Sequence, residues 1–427
     1  MDSAETGPRA AAFRILGAPV DQTRVRRIRP TTGCHPSCCP DFESAPVTGA
    51  VVHAVSRHAD RPYWSASAPR EATFLQRHLK RGLGCALLLA CTLSSLPASA
   101  TKYAGAFMAD GGGARALGMG SAFVAVADDA STTFFNPAGI VDAPRPELLL
   151  MHSERFGDLV DRDFLSYVHP LSGDGWQDGA FAVTVMHLAV DDIPITSQLS
   201  DLLDDDGNGI IDDDEVLDLL DPAIYDQIQY ETDRELALLM SYGRRAGAWQ
   251  IGGNLKLIRQ SVADFSSFGV GIDIGVLRRD WVGRLDFGLK LQDVTQTYLS
   301  WDTGRNETIA PVVVPGLSYD WLFPSLHLGL LASGAAEFHF DDRGGEVDQF
   351  EMGSTTANLF MGIEATLAQR AQLRFGSKGN VDGSFQSRNL TWGLGLVFDS
   401  FRVDYAYAGD VLEIDENTHR ISLGVSF

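Results

Sequence analysis

The feature that most constrains this chain is a two-residue hydrophobic alternation that recurs from residue 147 to the last residue. Over residues 284–292, Leu285, Phe287, Leu289 and Leu291 face one way, and Asp286, Gly288, Lys290 and Gln292 face the other. Val270, Ile272, Ile274 and Val276 form a second stripe, Leu390, Trp392, Leu394, Leu396 and Phe398 a third, and Ile421, Leu423, Val425 and Phe427 a fourth. A period of two is the signature of a strand with one buried face. The opposite face is Gly, Ser, Asn, Asp and Lys. Many runs reach about 9–12 residues, longer than the usual 5–6 of soluble sheets and enough to cross a bilayer when tilted.

Fourteen such segments are expected, near 147–154, 162–170, 179–189, 234–243, 248–260, 266–277, 282–293, 312–320, 326–338, 353–367, 371–377, 387–398, 401–407 and 418–427. The connections at 244–247, 278–281, 321–325, 368–370 and 399–400 are short and fall at one end. Those at 190–233, 294–311, 339–352 and 408–417 are longer and fall at the other. An even strand number with short turns at one end and long loops at the other is the pattern of a closed antiparallel transmembrane β-barrel, all-β in class. Trp281, Tyr298, Trp301, Trp321, Phe398 and Phe401 fall toward the rims, where aromatic girdles suit the headgroup layer.

The first hundred residues read as processing. Residues 1–74 are rich in Arg, Pro and Ala without periodicity, which suggests a disordered leader or a translation start nearer Phe74. Residues 75–100 read as a signal peptide: Arg77, Lys80 and Arg81, an apolar run from Leu83, and Ala98-Ser99-Ala100 as the cleavage site. The run at Leu88-Leu89-Ala90-Cys91 also resembles a lipobox. All five cysteines lie at or before Cys91, so the body from residue 101 has none. Cys34, Cys38, Cys39 and His35 lack a second ligand pair at zinc-site spacing. Export followed by a barrel places the protein in the bacterial outer membrane, in contact with lipid and lipopolysaccharide. Net charge separates the two parts, +5 over residues 1–81 and −27 over 82–427. The acidic body repels phosphates and excludes nucleic acid as a partner.

Residues 113–120 read Gly-Ala-Arg-Ala-Leu-Gly-Met-Gly, followed by the apolar run 121–130 and by Asn136-Pro137-Ala138-Gly139. This block, with Asp404-Tyr405-Ala406-Tyr407 and the closing strand 419–427, resembles the PorV/PorQ family within the wider FadL-like group of outer-membrane barrels. The resemblance implies a fourteen-stranded barrel, residues 147–427, plugged by an inward-folded N-terminal segment, residues 101–146. Gly111, Gly112, Gly113, Gly118 and Gly120 would permit tight turns against the inner wall; no Lys-Ser/Thr follows them at P-loop spacing. A last strand ending on Phe427 resembles the signal read by the outer-membrane insertion machinery. FadL-like members imply passive transport of hydrophobic molecules. PorV-like members imply an accessory role toward secretion components.

The segment 190–233 holds fifteen Asp and Glu and no Lys or Arg. Within it, Asp204, Asp206 and Asn208 take positions 1, 3 and 5 of an EF-hand loop, with Gly209 at the sharp turn. Ile210 offers its carbonyl at position 7, Asp212 acts through water at 9, and Glu215 closes the site with two oxygens. Hard oxygen ligands in this order point to Ca²⁺ as the cofactor of an external helix-loop-helix insertion. No nucleophile motif accompanies His152, His169, His187, His327, His339 or His419, so they read as wall or rim residues and no enzyme activity is expected. Two functions follow: a non-enzymatic transport or secretion-accessory barrel, or a surface structural or adhesion protein whose Ca²⁺ loop contacts a partner or lipopolysaccharide.

Overall fold

The structure, a computed structural model, describes residues 105–109, 111–155, 159–171, 179–195, 228–341, 349–378, 390–408 and 418–427. The leader, the signal segment and Asp204, Asp206, Asn208, Ile210, Asp212 and Glu215 lie outside the described residues. The strands are β1 (Glu147–Arg155), β2 (Val160–Pro170), β3 (Gly179–Ile195), β4 (Gln229–Ala246), β5 (Trp249–Val262) and β6 (Phe265–Val282). They continue with β7 (Leu285–Gln292), β8 (Thr297–Trp301), β9 (Asn306–Ile309), β10 (Val312–Phe323), β11 (Leu328–His339) and β12 (Phe350–Met352). The last five are β13 (Thr355–Leu367), β14 (Ala371–Ser377), β15 (Leu390–Val397), β16 (Phe401–Ala408) and β17 (Thr418–Ser426).

Fourteen of these close into one antiparallel barrel, with β17 returning to pair with β1 through Glu147↔Ser426 to Glu154↔His419. Each of the fourteen overlaps a segment marked by the sequence alternation, because a wall with lipid on one side and a filled lumen on the other forces period two. The remaining three are short. β8 pairs with the upper part of β6 and with β9, so residues 294–311 extend the wall as a hairpin where the sequence suggested only a loop. β12 pairs with β13. Among the described residues no helix is long and apolar enough to cross a membrane. The outward stripes stay exposed, as in Ile272, Leu394 and Ile421, because lipid is what they face.

The segment ahead of β1 runs inside the barrel. It comprises a 3₁₀ turn (Ala106–Met108), helix α1 (Ala114–Gly118), helix α2 (Thr132–Phe135) and a second 3₁₀ turn (Pro137–Asp142). Gly111, Gly113 and Gly120 take positive φ, the left-handed backbone that glycine adopts without strain. The wall answers with glycine of its own. At inward positions Gly252, Gly275, Gly288, Gly316, Gly362 and Gly376, an added β-carbon would come closer than 3.0 Å to plug atoms, mostly backbone. Gly252↔Gly275, Gly288↔Gly316 and Gly362↔Gly376 are cross-strand partners, so the glycines form patches on which the plug backbone lies directly.

Candidate functional site

Inside the barrel, two polar anchors tie the plug to the wall and an apolar half-lumen lies beside them; on the wall itself Lys256 is buried against Asp273 at 2.8 Å and Asp293. The first anchor is a closed ring of six alternating charges. Arg115 on α1 donates to both oxygens of Glu364 on β13, Nε to Oε2 at 2.8 Å and Nη2 to Oε1 at 2.9 Å. Glu364 also accepts from Arg374 Nε on β14 at 2.7 Å, and Arg374 pairs with Asp404 on β16 at 2.8 Å. Asp404 accepts from Arg402 at 2.7 Å, Arg402 reaches Asp129 of the plug at 3.0 Å, and Asp129 closes the ring on Arg115 at 3.3 Å. Arg374 is fully buried. Three guanidinium groups balance the three carboxylates of the ring, which is what makes it tolerable when buried, and Arg115 also pairs with the half-exposed Asp128.

Burial alone would raise the Asp129 carboxyl, but the charges of Arg402 and Arg115 outweigh it and hold the group below its ordinary value of 3.8. A depressed carboxyl stabilises the fold above its unfolded pKa and loses that contribution as pH falls through the folded value. The stability that the Asp129 pairing gives the plug, measured as protease protection of the parent relative to Asp129→Asn, should therefore hold down to about pH 4 and decline below it. A decline already complete at pH 6 would contradict this arrangement.

The second anchor grips the far end of the plug. Asp142 accepts from Arg245 (2.7 Å), Gln250 (2.8 Å) and Arg279 Nε (2.9 Å). The same Arg279 donates to the carbonyls of Ala125 (2.8 Å), Val126 (2.8 Å) and Ala127 (3.0 Å), and to Asp286 at 3.1 Å. Only a planar fork of five donors can serve so many acceptors at once. Arg279→Lys keeps the charge yet should leave at least two carbonyls unserved, lowering unfolding stability by about 2–4 kcal/mol; a thermal shift indistinguishable from the parent would refute that role. Between the anchors, Asn136 donates to the carbonyls of Val124 (2.8 Å) and Val276 (3.1 Å), and Asn254 donates to Thr133 O at 2.8 Å.

The apolar half-lumen lies against β1–β5. Leu149, Met151, Phe164, Met186, Leu239 and Ile258 turn inward and form one buried cluster with Phe107, Met108, Ala114, Leu117, Ile140 and Val141 of the plug. Leu299 and Ile309 of the β8–β9 hairpin close over them. Arg162 on β2 donates to the Phe107 carbonyl and fixes this first turn. The space is filled by the protein's own side chains. A cavity of about 30 Å³ lies elsewhere, between Asp128 and Arg279, Arg284, Asp286, Ser318 and Asp320. Its size and lining suit a water or two.

Of the ten histidines, the six that follow residue 100 fall on the wall or at a turn between its strands. His152, His169, His187 and His419 hydrogen-bond with Asp163, Tyr167, Asp163 and Tyr405 respectively. His339 pairs with Glu337 at 2.9 Å, and His327 sits at a turn with positive φ. Among the described residues, no group of three or more His, Cys, Asp or Glu is arranged to hold a metal ion.

Residues 95–191 match the model of an uncharacterised protein family, UPF0164. No curated protein matches the chain. Among solved structures, it is similar to a deltaS2 mutant of the TodX monoaromatic hydrocarbon channel, at 12% identity, covering 74% of this chain and 99% of that one with a TM-score of 0.42. It is also similar to the outer membrane protein Omp33 of Acinetobacter baumannii (6% identity, 66% and 98% covered, TM-score 0.33). A third is the NanC porin (10% identity, 66% and 100% covered, TM-score 0.27).

Proposed function

We propose that the protein is an outer-membrane barrel of FadL-like type that admits small hydrophobic molecules and performs no chemistry. The observation that carries this reading is the one-sided apolar lumen around Phe107 and Met108. A barrel interior bathed in water has no need of Met151, Phe164 and Met186 on its inner face. The turn Ala106–Met108 occupies that space from the long-loop end, while residues 111–142 are anchored below it. A guest would take the place of Phe107 and Met108 without dislodging the charged ring.

Phe107→Ala would leave a dry apolar cavity, the kind of space that binds small apolar guests. Titration of the refolded protein with N-phenyl-1-naphthylamine should show about tenfold or greater tightening in Phe107→Ala, equivalent to about 1.4 kcal/mol or more. Absence of binding by parent and variant alike would favour the surface or adhesion reading. A PorV-like role toward secretion components is supported by residues 113–120 alone, and co-purification with such components would argue for it.

We further propose that the external segment binds Ca²⁺ through Asp204, Asp206, Asn208, Ile210, Asp212 and Glu215, which follow the EF-hand ligand order. An extracellular site of this kind needs a Kd of only about 10⁻⁴–10⁻³ M. Calorimetry should show Ca²⁺ binding that Glu215→Gln abolishes. Retention of binding in that variant would remove these residues as the ligands.

A further inference from the structure

The apolar covering of the outer wall is uneven. On β10, Val313, Pro315, Leu317, Tyr319, Trp321 and Phe323 point outward in unbroken succession, as the register with β7 and β11 requires. With strands rising about 3.3 Å per residue and tilted about 40°, that stripe spans about 25 Å of depth, a full hydrocarbon layer. On β1 the outward stripe is only Leu148 and Leu150 before it meets His152 and Glu154. On β2 it is Tyr167 and Leu165 before Asp163 and Asp161, and on β3 Phe181, Val183 and Val185 before His187. Those stripes span about 5–10 Å.

His152, Asp163 and His187 lie directly opposite one another on three neighbouring strands. Asp163 accepts from His152 Nδ1 at 2.8 Å and faces His187 Nδ1 at 3.4 Å; Glu154 faces His152 Nε2 at 3.1 Å. The side chains of His152, Asp163 and Glu154 remain 52%, 51% and 58% exposed. The same register row continues to Leu236 on β4, then to Arg259 and Phe268. Rows descend toward the short-turn end as strand number falls: Val313 at the long-loop end of β10 connects through Leu291, Ile274, Gly253, Tyr242 and Phe181 to His169 beside the short-turn end of β2. Each step lowers the row by about 3 Å. His152 therefore lies about 9 Å deeper than the outward, apolar Leu236.

We infer that the outward face of β1–β3 is a contact surface for outer-leaflet lipid headgroups and their water, which descend there and thin the hydrocarbon layer. Acyl chains are the wrong covering, because ionisable groups facing hydrocarbon are costly. A protein partner is the weaker choice, because His152, Asp163 and Glu154 already pair with one another at 2.8 and 3.1 Å and leave a neighbour little charge to complete. A polar medium suffices, and a short hydrophobic stripe is met by thinning the bilayer at modest cost. The inner side of the same strands carries Met151, Phe164 and Met186, so here the wall is inverted, polar outside and apolar inside.

Nitroxide labels at Leu165→Cys and Leu257→Cys test this, in the full chain with its five native cysteines replaced by serine and one barrel per dioleoylphosphatidylcholine nanodisc. Leu257, Leu238, Val185 and Leu165 share one row, so in a flat membrane the label at 165 sits about 9 Å deeper and should meet less of a water-soluble nickel chelate. Thinning predicts the reverse, at least twofold greater nickel accessibility at 165 than at 257. The triple substitution His152→Leu, Asp163→Leu and His187→Leu should restore the flat-membrane order. If the triple variant fails to insert, the comparison in the unsubstituted wall still decides. Lower nickel accessibility at 165 with high oxygen accessibility would mean acyl coverage, and shielding from both would mean a protein covers the face; either result overturns the inference.

Discussion

Arg115→Met should unseat the plug while leaving the barrel closed. The substitution keeps an unbranched stem like that of arginine and removes the guanidinium that joins Glu364 to Asp129 and Asp128. Glu364 retains Arg374, and Asp129 retains Arg402, so neither wall nor plug loses every partner. The ring nonetheless becomes net negative while buried, and breaking a buried pair in this way costs about 3–5 kcal/mol. The strands carry their own hydrogen bonds and lipid contacts, so the loss falls on plug docking. Heat-modifiable migration on gels should persist, residues 111–142 should become open to protease, and planar bilayers should pass ions where the parent does not. Double substitution with Glu364→Gln should recover part of the loss, because it removes the uncompensated charge. A variant whose plug stays as protected as the parent's would show that the ring is dispensable.

Gly288→Val should have an effect of similar size by a different route. Gly288 sits in β7 without positive φ, so valine suits the strand, and its branched side chain favours one. Its β-carbon would, however, overlap the carbonyl of Val124 and the backbone of Ala125, which cannot swing aside as a flexible side chain would. The barrel should assemble and the plug should fail to seat, giving the same protease and conductance signature with no charge altered. Gly329→Val on β11 is the control, since the nearest atom to its β-carbon is 3.9 Å away. If both valine variants behave alike, the glycine patches are not docking surfaces.

What could be read from the sequence divides at the barrel wall. The outer face was legible because lipid imposes one rule on it, and Ile272, Leu289, Leu394 and Ile421 obey that rule locally. The inner face obeys no local rule. Gly252, Gly288 and Gly376 alternate in register and announce a face, but nothing near them in sequence says that a backbone segment lies on it. Arg115 meets Glu364 across 249 residues, and before folding neither differs from any other charged residue. Met151, Phe164 and Met186 are apolar residues in positions the alternation assigns to the polar side; in sequence they blur the strand pattern, and in the fold they line the half-lumen. The β8–β9 hairpin leaves little trace in the sequence because its strands are five and four residues long, with Thr303 and Gly304 at the turn. The polar positions His152, Asp163 and His187 were visible one by one; only strand register brings them side by side.

Amide hydrogen exchange of the refolded protein in detergent micelles measures most directly whether the plug is a built-in part of a closed barrel. Residues 111–142 should exchange as slowly as β5 and β6, because Arg279, Asn136 and Asn254 tie their backbone to the wall and the charged ring holds their start. Fast, peptide-like exchange of that segment alongside protected strands would contradict the account and leave an open barrel with a loose N-terminal arm.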